Sequence, residues 1–89
     1  KSPTVVGAQA ANELLNIDGV KASFVLTKYK GIIYISARAI DEVNVQVMME
    51  RLGGGGHMNV SGAQISGRSV EDVVQMIKDI IDDLNQEEV

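Results

Sequence analysis

The sequence predicts an α+β fold, a small and largely antiparallel sheet packed by helices in the order α-β-β-α-β-α, forming one domain over residues 1–89. Three observations carry this expectation. Val70, Val73, Val74, Ile77, Ile80, Ile81 and Leu84 recur at the spacing of one face of an amphipathic helix. Residues 20–27 and 32–38 read as strands on either side of Lys28-Tyr29-Lys30-Gly31, which makes an antiparallel hairpin. A chain of 89 residues is long enough for one core, and that core is thin.

Each element has its local reason. Ser2-Pro3 starts a helix, a hydroxyl cap followed by proline at the first helical position. Ala8, Ala11, Leu14 and Leu15 follow at helical spacing, Gly7 allows close approach, and Asn16 with Asp18-Gly19 ends the helix. In the first strand Ala22, Phe24 and Leu26 share a side; in the second, Ile33, Ile35 and Ala37 share one face and Tyr34, Ser36 and Arg38 the other. Asn44 caps a short helix whose Val45, Met48, Met49 and Leu52 recur at i, i+3, i+4 and i+7, the methionines reading as core filler. Gly53 is placed to end it in a left-handed cap. Residues 60–66 form a third strand, weakened and bulged at Gly62. Ser69-x-x-Asp72 resembles a capping box and opens the last helix, with fraying expected over 86–89. The first and last helices are expected to supply most of the apolar cover.

Composition narrows the function. Phe24, Tyr29 and Tyr34 are the only aromatics, and there is no cysteine, hence no disulfide framework and no thiolate metal site. No apolar run approaches the ~20 residues of a membrane span, and no signal peptide is visible. The chain begins Lys1-Ser2, as a piece of something longer would. The net charge of −4 is uneven: residues 1–68 hold seven Lys/Arg against five Asp/Glu, residues 69–89 one lysine against seven acids. That is no basic stripe for long nucleic acid. It leaves room for a small anionic ligand, with the acidic 69–89 segment expected to flank the site and repel an extended backbone.

The chemistry centres on Gly53-Gly54-Gly55-Gly56-His57. Four glycines cost roughly 2–4 kcal/mol of backbone entropy, so something must require them. One reading is a phosphate-binding loop whose successive N–H groups form a nest, with the lone histidine at its rim. The other is a helix C-cap followed by a connector. Ser36 and Arg38 likewise read either as a hydroxyl and guanidinium fork for phosphate oxygens or as a solvated edge face. A phosphate near the C-terminal end of the preceding helix faces the negative end of its dipole, so the anion must sit off that axis or be held by the nest and the basic side chains. One histidine, no cysteine and scattered carboxylates do not readily supply a two-metal centre. Neither Ser36 nor Ser61 has an evident base beyond His57.

Ser36-Ala37-Arg38, Asn44-Val45-Gln46, Glu50-x-Leu52-Gly53-Gly54-Gly55-Gly56-His57 and Gly62-Ala63-Gln64 together resemble the DHHA1 domain, the C-terminal substrate-binding domain of DHH-type phosphoesterases. The resemblance covers nearly the whole chain and is nearest to the membrane-anchored cyclic-di-AMP phosphodiesterases of the GdpP type. Ala39 stands where that family often has a second serine, which is expected to trim a phosphate hydrogen bond, and Val60-Ser61 where alanines are common. The resemblance implies substrate contacts at Ser36, Arg38, Gly54, Gly55, Gly56 and His57, in a cleft facing a preceding DHH domain. That domain is expected to hold the catalytic metals, usually Mn²⁺, with no cofactor bound by this fragment and no hydrolysis by it alone. The implied ligand is a cyclic dinucleotide or short oligonucleotide, and the implied setting is the cytoplasmic part of a membrane-anchored bacterial protein, with a homodimer left open. Two rivals share the resemblance: the same domain from an oligoribonuclease or single-strand exonuclease, and a non-catalytic RNA-binding module like that following alanyl-tRNA synthetase. The acidic balance and scarce aromatics weigh against the last.

Overall fold

Ser2 caps the first helix as its place before Pro3 predicts. In the computed structural model, which describes residues 2–87, its hydroxyl accepts the Val5 N–H at 3.2 Å and Pro3 occupies the first turn of α1 (Pro3–Leu14). The hairpin is tighter than expected. β1 (Ala22–Tyr29) and β2 (Ile32–Ala39) are joined by Lys30-Gly31 alone. Both turn residues have positive φ, 51° and 78°, the turn whose twist matches that of the strands it joins.

Asn44 caps α2 (Val45–Arg51), its Oδ1 accepting the Val47 N–H at 3.2 Å. Gly53 ends it in the left-handed region, at φ 84°. The Gly53 N–H then reaches Glu50 O at 3.1 Å and the Gly54 N–H reaches Met49 O at 2.8 Å, a paired closure of the last helical carbonyls. The chain departs from expectation immediately afterwards. Gly55–His57 form a short strand, β3, paired antiparallel with β4 (Val60–Ser66). The sheet therefore has four strands, ordered β1-β2-β4-β3 and antiparallel throughout. Glycine has poor strand propensity, so β3 is held by the β4 edge it meets. Nor is β4 bulged at Gly62, which pairs in unbroken register with Ser36 and Gly55. A Cβ there would sit 2.7 Å from Ile35 O, so close backbone approach is what requires glycine. Ser69 Oγ accepts the Asp72 N–H at 3.0 Å and opens α3 (Val70–Glu87). Gln86 and Glu87, in the segment expected to fray, are helical, and Glu88 and Val89 lie outside the described residues.

The two faces of the sheet differ. Ile33, Ile35, Ala37 and Ala39 of β2 and Ala63 of β4 pack with Val45, Met48 and Met49 of α2 and Val73 and Ile77 of α3 in one aliphatic core. Val73, Met49, Ile33 and Val45 are fully buried. The opposite face meets α1 through small and polar groups. Gly7 and Ala11 are its buried residues, and Ser23 Oγ donates to Ala11 O at 2.7 Å. Val5, Val6 and Leu14 remain 48%, 44% and 39% exposed. The apolar cover thus comes from α2 and the last helix, α3; the last helix covers the core as the sequence suggested, whereas α2 takes the place expected of the first. Because α1 crosses β1 and β2, the β4–β3 half of its face stays open.

Candidate functional site

That open half-face is where the expected residues meet. Ser36 pairs across β2 and β4 with Gly62, which pairs with Gly55; Arg38 pairs with Val60, which pairs with His57. Side chains alternate across a strand, so Ser36, Arg38 and His57 share the α1 face. They line one open cleft of about 640 Å³, floored by 53–57 and the middle of β4 and walled by Thr4 at the start of α1.

Each residue is held differently. Arg38 is half-buried, its Nη1 donating to its own neighbour Ala37 O at 2.8 Å and to Ser61 O at 3.4 Å. The fork is thereby anchored on the sheet with its remaining N–H groups uncommitted. The His57 side chain is exposed and makes no hydrogen bond to the described residues. Ser36 is only 7% exposed because Gly7 of α1 sits over it; a Cβ on Gly7 would come 2.7 Å from Ser36 Oγ. The Ser36 hydroxyl has no partner among the described residues, and Ser36 lines the cleft.

The glycine run is not a nest. The Gly53 and Gly54 amides are spent on α2 carbonyls, and 55–57 are extended. The four glycines have separate causes. Gly53 needs its positive φ. At Gly54 a Cβ would run into the Gly62 carbonyl oxygen, and at Gly56 it would lie 2.5 Å from Val60 O. Gly55 has neither constraint: its φ is not positive and a Cβ would meet nothing within 4 Å. By register that Cβ would point into the cleft. Three glycines serve the fold, and the fourth keeps the cleft floor bare.

α2 packs on the core face of the sheet, and its C-terminal end reaches the cleft through Gly53 and Gly54, whose N–H groups close helical carbonyls of its last turn. The N-terminal end of α1, at Thr4, does border the cleft and favours negative charge there. The charged or ionisable side chains lining the cleft are Arg38 and His57, with no carboxylate among them. The acidic helix α3 packs on the other face, so the expected acidic flank is not beside the site. Ala39 also faces the core, at 5% exposure, so alanine in place of serine removes nothing from the cleft. Ser61 turns to the core face with Ala37, buried and unpartnered at Oγ among the described residues. No hydrogen bond links His57 to either serine. Among the described residues no three His, Cys, Asp or Glu side chains converge, so the donor set offers Mn²⁺ no place here. Thr4, Val60 and Gln64 also line the cleft. Strand alternation alone places Val60 and Gln64; nothing in the sequence announces Thr4.

Residues 3–83 match the DHHA1 domain family. The chain belongs to that family. The DHHA1 domain is 49% identical over 80 residues to the cyclic-di-AMP phosphodiesterase GdpP of Geobacillus thermodenitrificans (89% of this chain, 12% of that protein). It is 42% identical over 80 residues to the cyclic-di-AMP phosphodiesterase PdeA of Listeria monocytogenes, with the same coverage of 89% and 12%. It therefore spans about an eighth of the curated relatives it matches. An exopolyphosphatase-related protein from Bacteroides fragilis has the same fold, with TM-score 0.76 and 26% identity over 82% of this chain and 22% of that one.

Proposed function

We propose that this DHHA1 domain is the substrate-binding part of a metal-dependent cyclic-dinucleotide phosphodiesterase acting on cyclic di-AMP. The observation that carries the reading is Gly55: the fold does not need a glycine there, yet a side chain would fill the cleft that Ser36, Arg38 and His57 line. A ligand that lies against the backbone accounts for it. The names of the 42–49% identical relatives supply the substrate class. In this reading the Arg38 fork and Ser36 hydroxyl hold phosphate oxygens. His57, free at the rim, donates to charge that develops during hydrolysis. The metals belong to a DHH domain elsewhere in the full protein, and this domain alone turns nothing over. Among the described residues no helix is long and apolar enough to cross a membrane. In this reading a membrane anchor lies in another segment of the full protein, with this domain on the cytoplasmic side.

The test is kinetic, in the full-length enzyme. His57→Ala is expected to lose roughly 2–4 kcal/mol of transition-state stabilisation. Arg38→Ala mainly raises KM, and Gly55→Ala weakens substrate binding, with melting temperatures of the His57 and Gly55 variants near wild type. Full activity in both of those variants would remove the cleft from the reaction. A competition assay with labelled cyclic di-AMP against short and long RNA settles the substrate class: stronger competition by long RNA at low and high salt would favour a single-strand exonuclease. No Phe, Tyr or Trp lines the cleft, so the stacking platform of a general single-strand binder is missing from it.

A further inference from the structure

Gln64 is the one carboxamide lining the cleft. Its side chain is exposed and makes no hydrogen bond to the described residues. By register it stands opposite Tyr34, on the same face as Ser36 and Arg38. Same-face neighbours on an antiparallel strand are about 6.8 Å apart, so the open face is laid out in three successive rungs. The outer rung carries His57, Val60 and Arg38, with the imidazole and the guanidinium. The middle rung carries Gly55, Gly62 and Ser36. The inner rung carries Gln64 and Tyr34. Across β3 and β4 the middle rung has no side chain at all, leaving a strip of bare backbone between phosphate-binding groups and a carboxamide.

A flat ring fits such a strip, and in a nucleotide the base is joined to its phosphate through one sugar. Resting on the dinucleotide reading above, we infer that a nucleobase lies over Gly55 and Gly62 and that Gln64 is a specificity-determining residue that reads its edge as adenine. The carboxamide presents an acceptor and a donor side by side in one plane. Adenine offers the complementary pair, the N6 donor and N7 acceptor, whereas guanine presents two acceptors, O6 and N7, on the same edge. The Arg38 and His57 rung is left for the phosphate.

The experiment measures kcat/KM of the full-length enzyme for cyclic di-AMP and cyclic di-GMP, in wild type, Gln64→Ala and Gln64→Glu. A bidentate contact gives about 5- to 150-fold discrimination. Gln64→Ala should therefore lower the adenine-to-guanine ratio by that order, through the adenine substrate. Gln64→Glu, which offers acceptors only, can still accept from adenine N6 but meets guanine O6 and N7 acceptor to acceptor, so it should lower the ratio less than Gln64→Ala does. Gln64 is exposed, so both variants should keep the wild-type melting temperature. An unchanged ratio, or equal losses on both substrates, overturns the inference and leaves the substrate reading standing. Hydrolysis of neither cyclic dinucleotide by wild type overturns the substrate reading and this inference with it.

Discussion

The sheet has one face that is closed and one that is half open, and the two are built from different chemistry. On the α2/α3 side β2 presents Ile33, Ile35, Ala37 and Ala39, which pack dry against aliphatic side chains. On the α1 side the same strand presents Ser36 and Arg38, and the contact with α1 runs through Gly7, Ala11 and the Ser23 hydroxyl. The closed face removes apolar area from water and supplies most of the hydrophobic stabilisation. The other gains less from burial and leaves polar groups free for a ligand. Alternation along one strand is enough to divide stability from binding.

The largest test of this division is Ile33→Ala. The side chain is fully buried on the closed face, and truncation should cost about 2–5 kcal/mol, read as a lower urea midpoint with unchanged slope. A loss near zero would mean the closed face is not the stabilising one. Gly54→Ala comes next. Its Cβ would strike the Gly62 carbonyl, so pulling β3 away from β4 should cost about 1–3 kcal/mol. One residue on, Gly55→Ala meets nothing and should be neutral or stabilise by about 0.4–1 kcal/mol through the unfolded chain, while substrate binding falls. Equal destabilisation by the two alanines would erase the distinction between fold glycines and the cleft glycine.

Ser23→Ala probes the α1 contact. It removes the hydrogen bond to Ala11 O and should cost about 1 kcal/mol. Amide exchange should quicken in α1 before it quickens in α3. The smallest effect belongs to Glu42, at the exposed edge. A hydrogen bond from its own backbone N–H and then the Lys21 ammonium hold its carboxyl below the ordinary value of 4.5. A lowered folded pKa adds stability that is present above 4.5 and lost as pH falls through the folded value. The stability difference between wild type and Glu42→Gln should therefore be slight near neutrality and vanish in acid; a difference that grew on acidification would contradict the sign.

What the sequence determined alone is whatever neighbouring residues decide among themselves. The Ser2, Asn44 and Ser69 caps and the Gly53 terminus are settled within a turn of helix by side-chain oxygens and one positive φ. The faces of β2 follow from alternation, which alone places Ser36 and Arg38 side by side. The family motif, spread over nearly the whole chain, named the remaining site residues. Tertiary structure decided what depends on distant partners. Gly55–His57 became a strand because β4 lay beside them, a fact no glycine propensity contains. α1 proved a cover of small residues, with Gly7 clearing Ser36. The acidic helix came to rest behind the sheet, away from the cleft its charge was expected to flank. The glycines, indistinguishable in sequence, separated into three that β4 or the helix end demands and one that only the open cleft explains, because steric need is set by what stands opposite in space.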